Sequence, residues 1–223
     1  MAQQLGLDLP SRTALGRDAF FVAPSNAAAL SMIDNWETWA GGKLVLTGPA
    51  GAGKTHLAHV WADISGARII AAKDLPIADI PDLAQQCSAV EDAPDIAGNA
   101  AGQTALFHMH NLVLAEGHRL LVTGSGTVTQ WGIALPDLLS RLQGAVAVAL
   151  EPPDDALLAA LLVKLFADRQ LTPKPTLIPY LLSRMDRSFE AAIDLVERLD
   201  AASLARKKPI SRTLAAALLD KET

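Results

Sequence analysis

A single cysteine, Cys87, stands in a chain of 223 residues. One thiol builds no disulfide framework and fits a reducing, cytoplasmic setting. Basic residues are also short: 19 Lys and Arg face 24 Asp and Glu, for a formal net charge of −5. That balance argues against a protein that grips duplex DNA through a basic face, so no sequence-specific DNA binding is expected. No apolar run is long enough to span a membrane. The N-terminus lacks the basic start and long apolar stretch of a secretory signal. Metal-ligand clusters are missing too. His108 and His110 lie two residues apart and so face different sides of a helix, with no carboxylate or thiol at ligand spacing. Trp36, Trp39, Trp61 and Trp131 are scattered, without an accompanying basic run, and read as packing anchors rather than base-stacking platforms.

What the chain has in quantity is Ala and Leu, and half of its residues are hydrophobic, a mixture suited to helices packed on a sheet. Strand patterns fall at Lys43–Thr47, Ala67–Ala72, Ser88–Glu91, "HRLLVTGSG" and "GAVAVAL". Helical patterns fall between them at Thr55–Ile64 and "GQTALFHMHNLVLAEG". Glu151-Pro152-Pro153 marks a boundary, and four helical patterns follow: Asp154–Arg169, Pro175–Arg184, Ser188–Arg206 and Ser211–Lys221. The expected fold is α/β, a parallel sheet with helices on both faces, followed by a small all-α lid. This gives a tail over 1–12, a nucleotide-binding domain over 13–150 and a helical domain over 151–223.

The strongest motif is "GPAGAGKTH": Gly48, Pro49, Ala50, Gly51, Ala52, Gly53, Lys54, Thr55 and His56. It matches G-x-x-x-x-G-K-[ST] and sits between an apolar strand and a helical pattern, where the chemistry needs it. The glycines let successive backbone N–H groups face phosphate oxygens, and the helix N-terminus adds partial positive charge. Lys54 is placed to neutralise the outer phosphates and Thr55 to offer its hydroxyl to Mg²⁺. The expected ligand is ATP or ADP with Mg²⁺.

From these residues the chain resembles the bacterial replication initiator DnaA and its relatives within the AAA+ class. "GKTHL" resembles their phosphate loop, and "FFVAPSNAAAL" their adenine-pocket segment, which implies Phe21, Val22 and Asn26 as base contacts. "LPDLLSRL" resembles the motif called box VII, and the resemblance implies that Arg141 is an arginine finger supplied to a neighbouring subunit. "VALEPPDDALLAALLVKLFADRQL" resembles the start of the lid. In the initiator a DNA-reading domain follows the lid, whereas this sequence stops at Thr223. With the acidic charge, this points to the truncated Hda-type relatives, which help to switch the initiator off.

A hydrolysing site of this class wants an Asp for the metal and then a Glu for the attacking water. "SAVEDAP" offers two registers. In one, Glu91 takes the metal position and Asp92 the base position; the shorter Asp falls short of a water about 3 Å away. In the other, Asp92 holds the metal and Ala93 replaces the base. Aligning "SRMDRSFEAAIDLVERL" on the third lid helix puts Glu190 where the family has a phosphate-sensing arginine, with Arg187 one turn earlier as a candidate substitute. Thr123 or Ser125 is the candidate first sensor. The expectation is weak intrinsic hydrolysis and an ADP-bound resting state, with the catalytic contribution made in trans by Arg141.

The tail "QLGLDLP" alternates Leu5, Leu7 and Leu9 behind Gln4. An extended peptide places alternate side chains on one face. It resembles the motif by which bacterial replication proteins dock on the sliding clamp, which implies the clamp as a partner through Gln4, Leu5, Leu7 and Leu9. The residues after Pro10 form a polar tether, about ten residues spanning on the order of 30 Å. A terminus that docks nowhere, or that joins its own sheet, is the plainer reading. Three functions follow. The first is a clamp-docked regulator that promotes hydrolysis of ATP on the initiator DnaA. The others are a stand-alone AAA+ remodeller or helicase loader, and a binder that sequesters the initiator. Homo-oligomers fit each.

Overall fold

The computed structural model describes residues 22–206 and 209–219. Gln4, Leu5, Leu7, Leu9 and Phe21 lie outside the described residues. Five short strands form one parallel sheet: β1 (Lys43–Thr47), β2 (Arg68–Ala71), β3 (Ser88–Glu91), β4 (Leu120–Gly124) and β5 (Val146–Ala149). They lie in the order β2-β3-β4-β1-β5. Their register places Leu44 beside Leu121 and Val146, and Val90 beside Val122.

Alternation along each strand divides the core in two. Leu44 and Leu46 of β1 and Leu121 of β4 face helices α1 (Ala27–Asp34) and α2 (Lys54–Ser65). Val45, Val90, Leu120 and Val122 face the other way. They pack on α3 (Ile80–Leu83), α4 (Ala100–Ala115) and α5 (Pro136–Gln143). Trp61 and Trp131 are buried on opposite faces of the sheet, and Trp39 stacks on Trp61 at 5.1 Å between centroids. The tryptophans are packing anchors, as their sequence setting suggested.

Four helices complete the described chain: α6 (Asp155–Asp168), α7 (Leu177–Leu182), α8 (Phe189–Arg206) and α9 (Arg212–Leu219). They bury a separate apolar cluster around Leu158, Leu162, Phe166, Leu181, Val196 and Leu199. Among the described residues, no helix is long and apolar enough to cross a membrane.

The sequence pattern finds every strand but misplaces several ends. α7 is shorter than the predicted Pro175–Arg184: it starts at Leu177, whose N–H donates to the Lys174 oxygen at 2.9 Å, and ends at Leu182. α4 starts earlier than predicted, at Ala100, because the Asn99 side chain accepts the Gly102 N–H at 2.9 Å and caps the first turn. The helix at Ala27–Asp34 is an addition to the sequence expectation, in which Phe20–Leu30 resembles a pocket wall. Between β1 and β5 the chain runs outward to β2 and returns through β3 and β4. The carboxyl ends of β1, β3 and β4 therefore adjoin, the place where open α/β sheets bind ligands.

Candidate nucleotide site and a surface arginine

The loop from Gly48 to Gly53 leaves β1 at this carboxyl end and feeds α2. At Gly48 a side chain would meet the Leu150 carbonyl oxygen at 2.7 Å. Gly51 has φ +67°, and a Cβ there would run into Ser188 at the start of α8. Both positions therefore demand glycine. Lys54 is the first residue of α2 and is only 7 % exposed. Its ammonium donates to the Gly48 oxygen at 3.0 Å, the Pro49 oxygen at 2.8 Å and Ser125 Oγ at 3.4 Å. Burial pulls its pKa below the usual lysine value, and the nearby Asp92 and Glu91 charges oppose that pull. Pro49 and Ala50 are exposed at the rim, Ala52 is buried, His56 is half-buried and Thr55 is exposed.

Glu91 ends β3, and its Oε1 is buried without a hydrogen-bond partner among the described residues. Asp92 follows in a left-handed conformation, φ 53° and ψ 52°. Its N–H donates to Thr123 Oγ1 at 3.3 Å, and its side chain is exposed. Ala93 is fully buried in the apolar cluster beneath the sheet, so the slipped register would put the base position inside the core. The two candidate sensors divide here: Thr123 braces the turn after β3, whereas Ser125 touches Lys54.

An unpartnered buried carboxylate oxygen is costly unless something satisfies it. Glu91 and the Thr55 hydroxyl are hard oxygen donors of the kind Mg²⁺ takes. Among the described residues no group of three His, Cys, Asp or Glu side chains could hold a metal. A dication here would complete its shell with phosphate oxygens and water, as Mg²⁺ commonly does.

The helical region closes over the same loop. Phe189 N–H, on the first residue of α8, donates to the Gly51 oxygen at 2.9 Å, and Ser188 Oγ caps the helix by accepting Ala191 N–H at 3.0 Å. No sequence motif announces Ser188, whose contact joins residues far apart in the chain. Glu190 is exposed at this helix start. Arg187 is paired with Asp155 at 3.1 Å, so its guanidinium is held by α6 instead of the phosphate loop. On the base side Val22 is 58 % exposed, whereas Asn26 is buried and its Oδ1 accepts Ala23 N–H at 2.9 Å. The Ser25 oxygen accepts Glu151 N–H at 3.1 Å, which ties this segment to the chain that enters the helical region.

Arg141 belongs to none of this. It lies in the last turn of α5, exposed, just ahead of β5. Its guanidinium carbon rests 5.2 Å from the centre of the Phe107 ring on α4. Behind it, Lys43 at the amino end of β1 donates to His110 Nε2 at 3.1 Å, and His110 Nδ1 bonds Asn111 Oδ1 at 3.2 Å. Burial lowers the pKa of both Lys43 and His110, and the Arg141 charge adds to the effect. Lys43 begins the strand whose other end carries the phosphate loop. About 15 Å of strand therefore separates the two cationic sites.

No family model matches the chain. Solved structures do. Domain III of the Thermotoga maritima replication initiation protein DnaA superposes with a TM-score of 0.78 at 18 % identity, covering 96 % of this chain and 98 % of that one. DnaA from Aquifex aeolicus with bound AMPPCP gives 0.69 at 20 % identity, over 87 % of this chain and 68 % of that one. The RuvB Holliday junction branch migration motor of T. maritima gives 0.70 at 17 % identity, over 92 % and 71 %. For a further DnaA structure, bound to AMPPCP and single-stranded DNA, the match spans 66 % of that chain's length. The fold of this chain is that of domain III of DnaA.

Proposed function

We propose that this chain is a nucleotide-binding regulator of replication initiation, of the Hda type, that acts on ATP held by an initiator of the DnaA kind. Its own ligand is ADP or ATP with Mg²⁺ at Lys54, Thr55 and Glu91, and this ligand serves chiefly to fix the conformation. The observation that carries the reading is the setting of Arg141. An exposed guanidinium lies on an aromatic ring, ahead of the edge strand β5 and away from the chain's own phosphate loop. An arginine supplied in trans to a transferring phosphoryl group raises hydrolysis by about 10³ to 10⁵. Gln4, Leu5, Leu7 and Leu9 bring the protein to the sliding clamp in the cytoplasm.

The test is single-turnover hydrolysis of labelled ATP bound to the initiator, with clamp loaded on DNA. The wild type accelerates it, and Arg141→Ala abolishes the acceleration. Full acceleration by Arg141→Ala would remove this function. Gln4→Ala/Leu7→Ala abolishes clamp binding and, with it, the clamp-dependent part of the rate.

A second reading, a stand-alone ATPase, is favoured by the buried, unpartnered Glu91 Oε1 beside Lys54, which a catalytic metal would satisfy. Robust turnover by the isolated chain, lost in Lys54→Ala, would select it. Exposed Glu190 at the start of α8 and paired Arg187 weigh against it, since neither offers positive charge to a γ-phosphate.

A further inference from the structure

The net charge of the chain is unevenly spread. Residues 1–150 hold 8 Lys and Arg against 13 Asp and Glu, whereas residues 151–223 hold 11 of each. Within the helical region the charges separate again. Between Asp200 and Asp220 stand four basic residues, Arg206, Lys207, Lys208 and Arg212, and no acidic one.

Five of the six arginines of this region fall into two classes. Arg169, Arg187 and Arg198 are each matched to a carboxylate: Glu197 at 3.0 Å, Asp155 at 3.1 Å and Asp194 at 3.2 Å. Arg184 and Arg212 have no such partner among the described residues. Both instead lie over one ring, that of Tyr180 on α7, each with its guanidinium carbon 4.7 Å from the ring centre. Both are exposed.

Sharing a ring holds the two cations within about 10 Å of each other, about one Debye length in ordinary buffer, so their repulsion is only partly screened. The ring offsets part of that cost, on the order of 0.5–1 kcal/mol for each exposed contact. A bound anion would offset more, because the planar guanidinium fork matches a phosphate or carboxylate with two parallel hydrogen bonds. Arg212 continues the acid-free stretch, which extends the positive charge along the sequence beyond the pair. A charge row of this kind suits a polymer with regularly spaced charges. Nucleic acid carries one per 3.4 Å of each strand.

We propose that the face formed by Arg184, Tyr180 and Arg212 binds the sugar–phosphate backbone of nucleic acid without reading its sequence. The face does not depend on the role of Arg141 or on the phosphate loop. It gives the protein a weak hold on nucleic acid despite the acidic α/β part, through a surface whose two arginines have no carboxylate partner among the described residues.

The test is fluorescence anisotropy of labelled (dT)20, and of a 20-base-pair duplex, titrated with the full chain from about 50 to 200 mM salt. The wild type binds at least one of the two, and binding weakens as salt rises. Arg184→Gln/Arg212→Gln lowers the affinity about tenfold or more. It also flattens the single-strand log–log salt slope by about 1.4, the value for two lost phosphate contacts. Arg184→Lys/Arg212→Lys retains most of the salt slope. Thermal melting and ADP binding of both variants match the wild type, which excludes misfolding as the cause. Three results would overturn the proposal: no binding to either probe, an affinity unchanged by the glutamine pair, or equal affinity for labelled polyglutamate. The last would make the partner an acidic protein.

Discussion

The two ends of strand β1 hold cations in opposite ways. At the carboxyl end Lys54 is drawn in: buried, bonded to two backbone carbonyls and Ser125, and faced by Glu91 and Asp92. Beyond the amino end Arg141 is held out: exposed, supported from below by Phe107, with Lys43 as a like charge behind it. A cation enclosed by carbonyls is poised to bind a phosphate that enters its own loop. An exposed cation resting on an aromatic ring is free to meet a charge brought by another molecule. On the proposed reading, the fold separates holding a nucleotide from acting on one.

The largest effect is expected at the loop. Lys54→Ala should weaken binding of a fluorescent ADP analogue by about 100-fold or more, since Lys54 is the buried charge aimed at the phosphates. Arg141→Ala should leave that binding unchanged.

Next comes the seam between the loop and the helical region. Gly51→Ala imposes a side chain at φ +67° and a clash with Ser188, which should cost about 1–3 kcal/mol in a denaturant melt. Adding Ser188→Gly should recover part of the loss, because glycine removes the obstructing side chain and still serves tolerably as a helix cap. No recovery would mean that the strain lies in the loop backbone alone.

At the other end the effects are smaller. Phe107→Ala removes the platform under Arg141, a contact of about 0.5–1 kcal/mol. It should slow hydrolysis of initiator-bound ATP by about two- to fivefold without changing ADP affinity. An equal effect on both would join the two ends that the structure keeps apart.

The smallest effect concerns pH. His110 is buried and its pKa is lowered from 6.5 in the folded chain. Below 6.5 the unfolded chain takes up a proton that the folded chain resists. Stability should therefore fall as pH drops from about 6.5 through the lower folded value. His110→Gln should flatten the dependence of Tm on pH between about 7 and 5.5, by a few degrees at most.

The contrast also shows what a sequence reveals. Lys54 and its glycines were legible because phosphate chemistry demands them in one contiguous stretch between a strand and a helix. The sheet was legible because its strands are short apolar runs separated by turn residues. Three features were not. Ser188 meets Gly51 only because α8 folds back on the loop. Phe107 supports Arg141 across two helices. The Tyr180 ring gathers Arg184, in the turn after α7, and Arg212, on α9. Apart from the local Tyr180–Arg184 contact, each joins distant positions with no local pattern. Likewise, the order of Glu91 and Asp92 leaves two registers open, and no local pattern announces that Ala93 lies in the core.

The most direct measurement is made on one preparation of Arg141→Ala beside the wild type, following ADP affinity and hydrolysis of initiator-bound ATP together. The account predicts ADP affinity within about twofold of wild type and a loss of stimulation approaching the 10³ expected of a finger. If Arg141→Ala loses its own nucleotide, or stimulates as well as the wild type, the division of labour between the two ends is wrong.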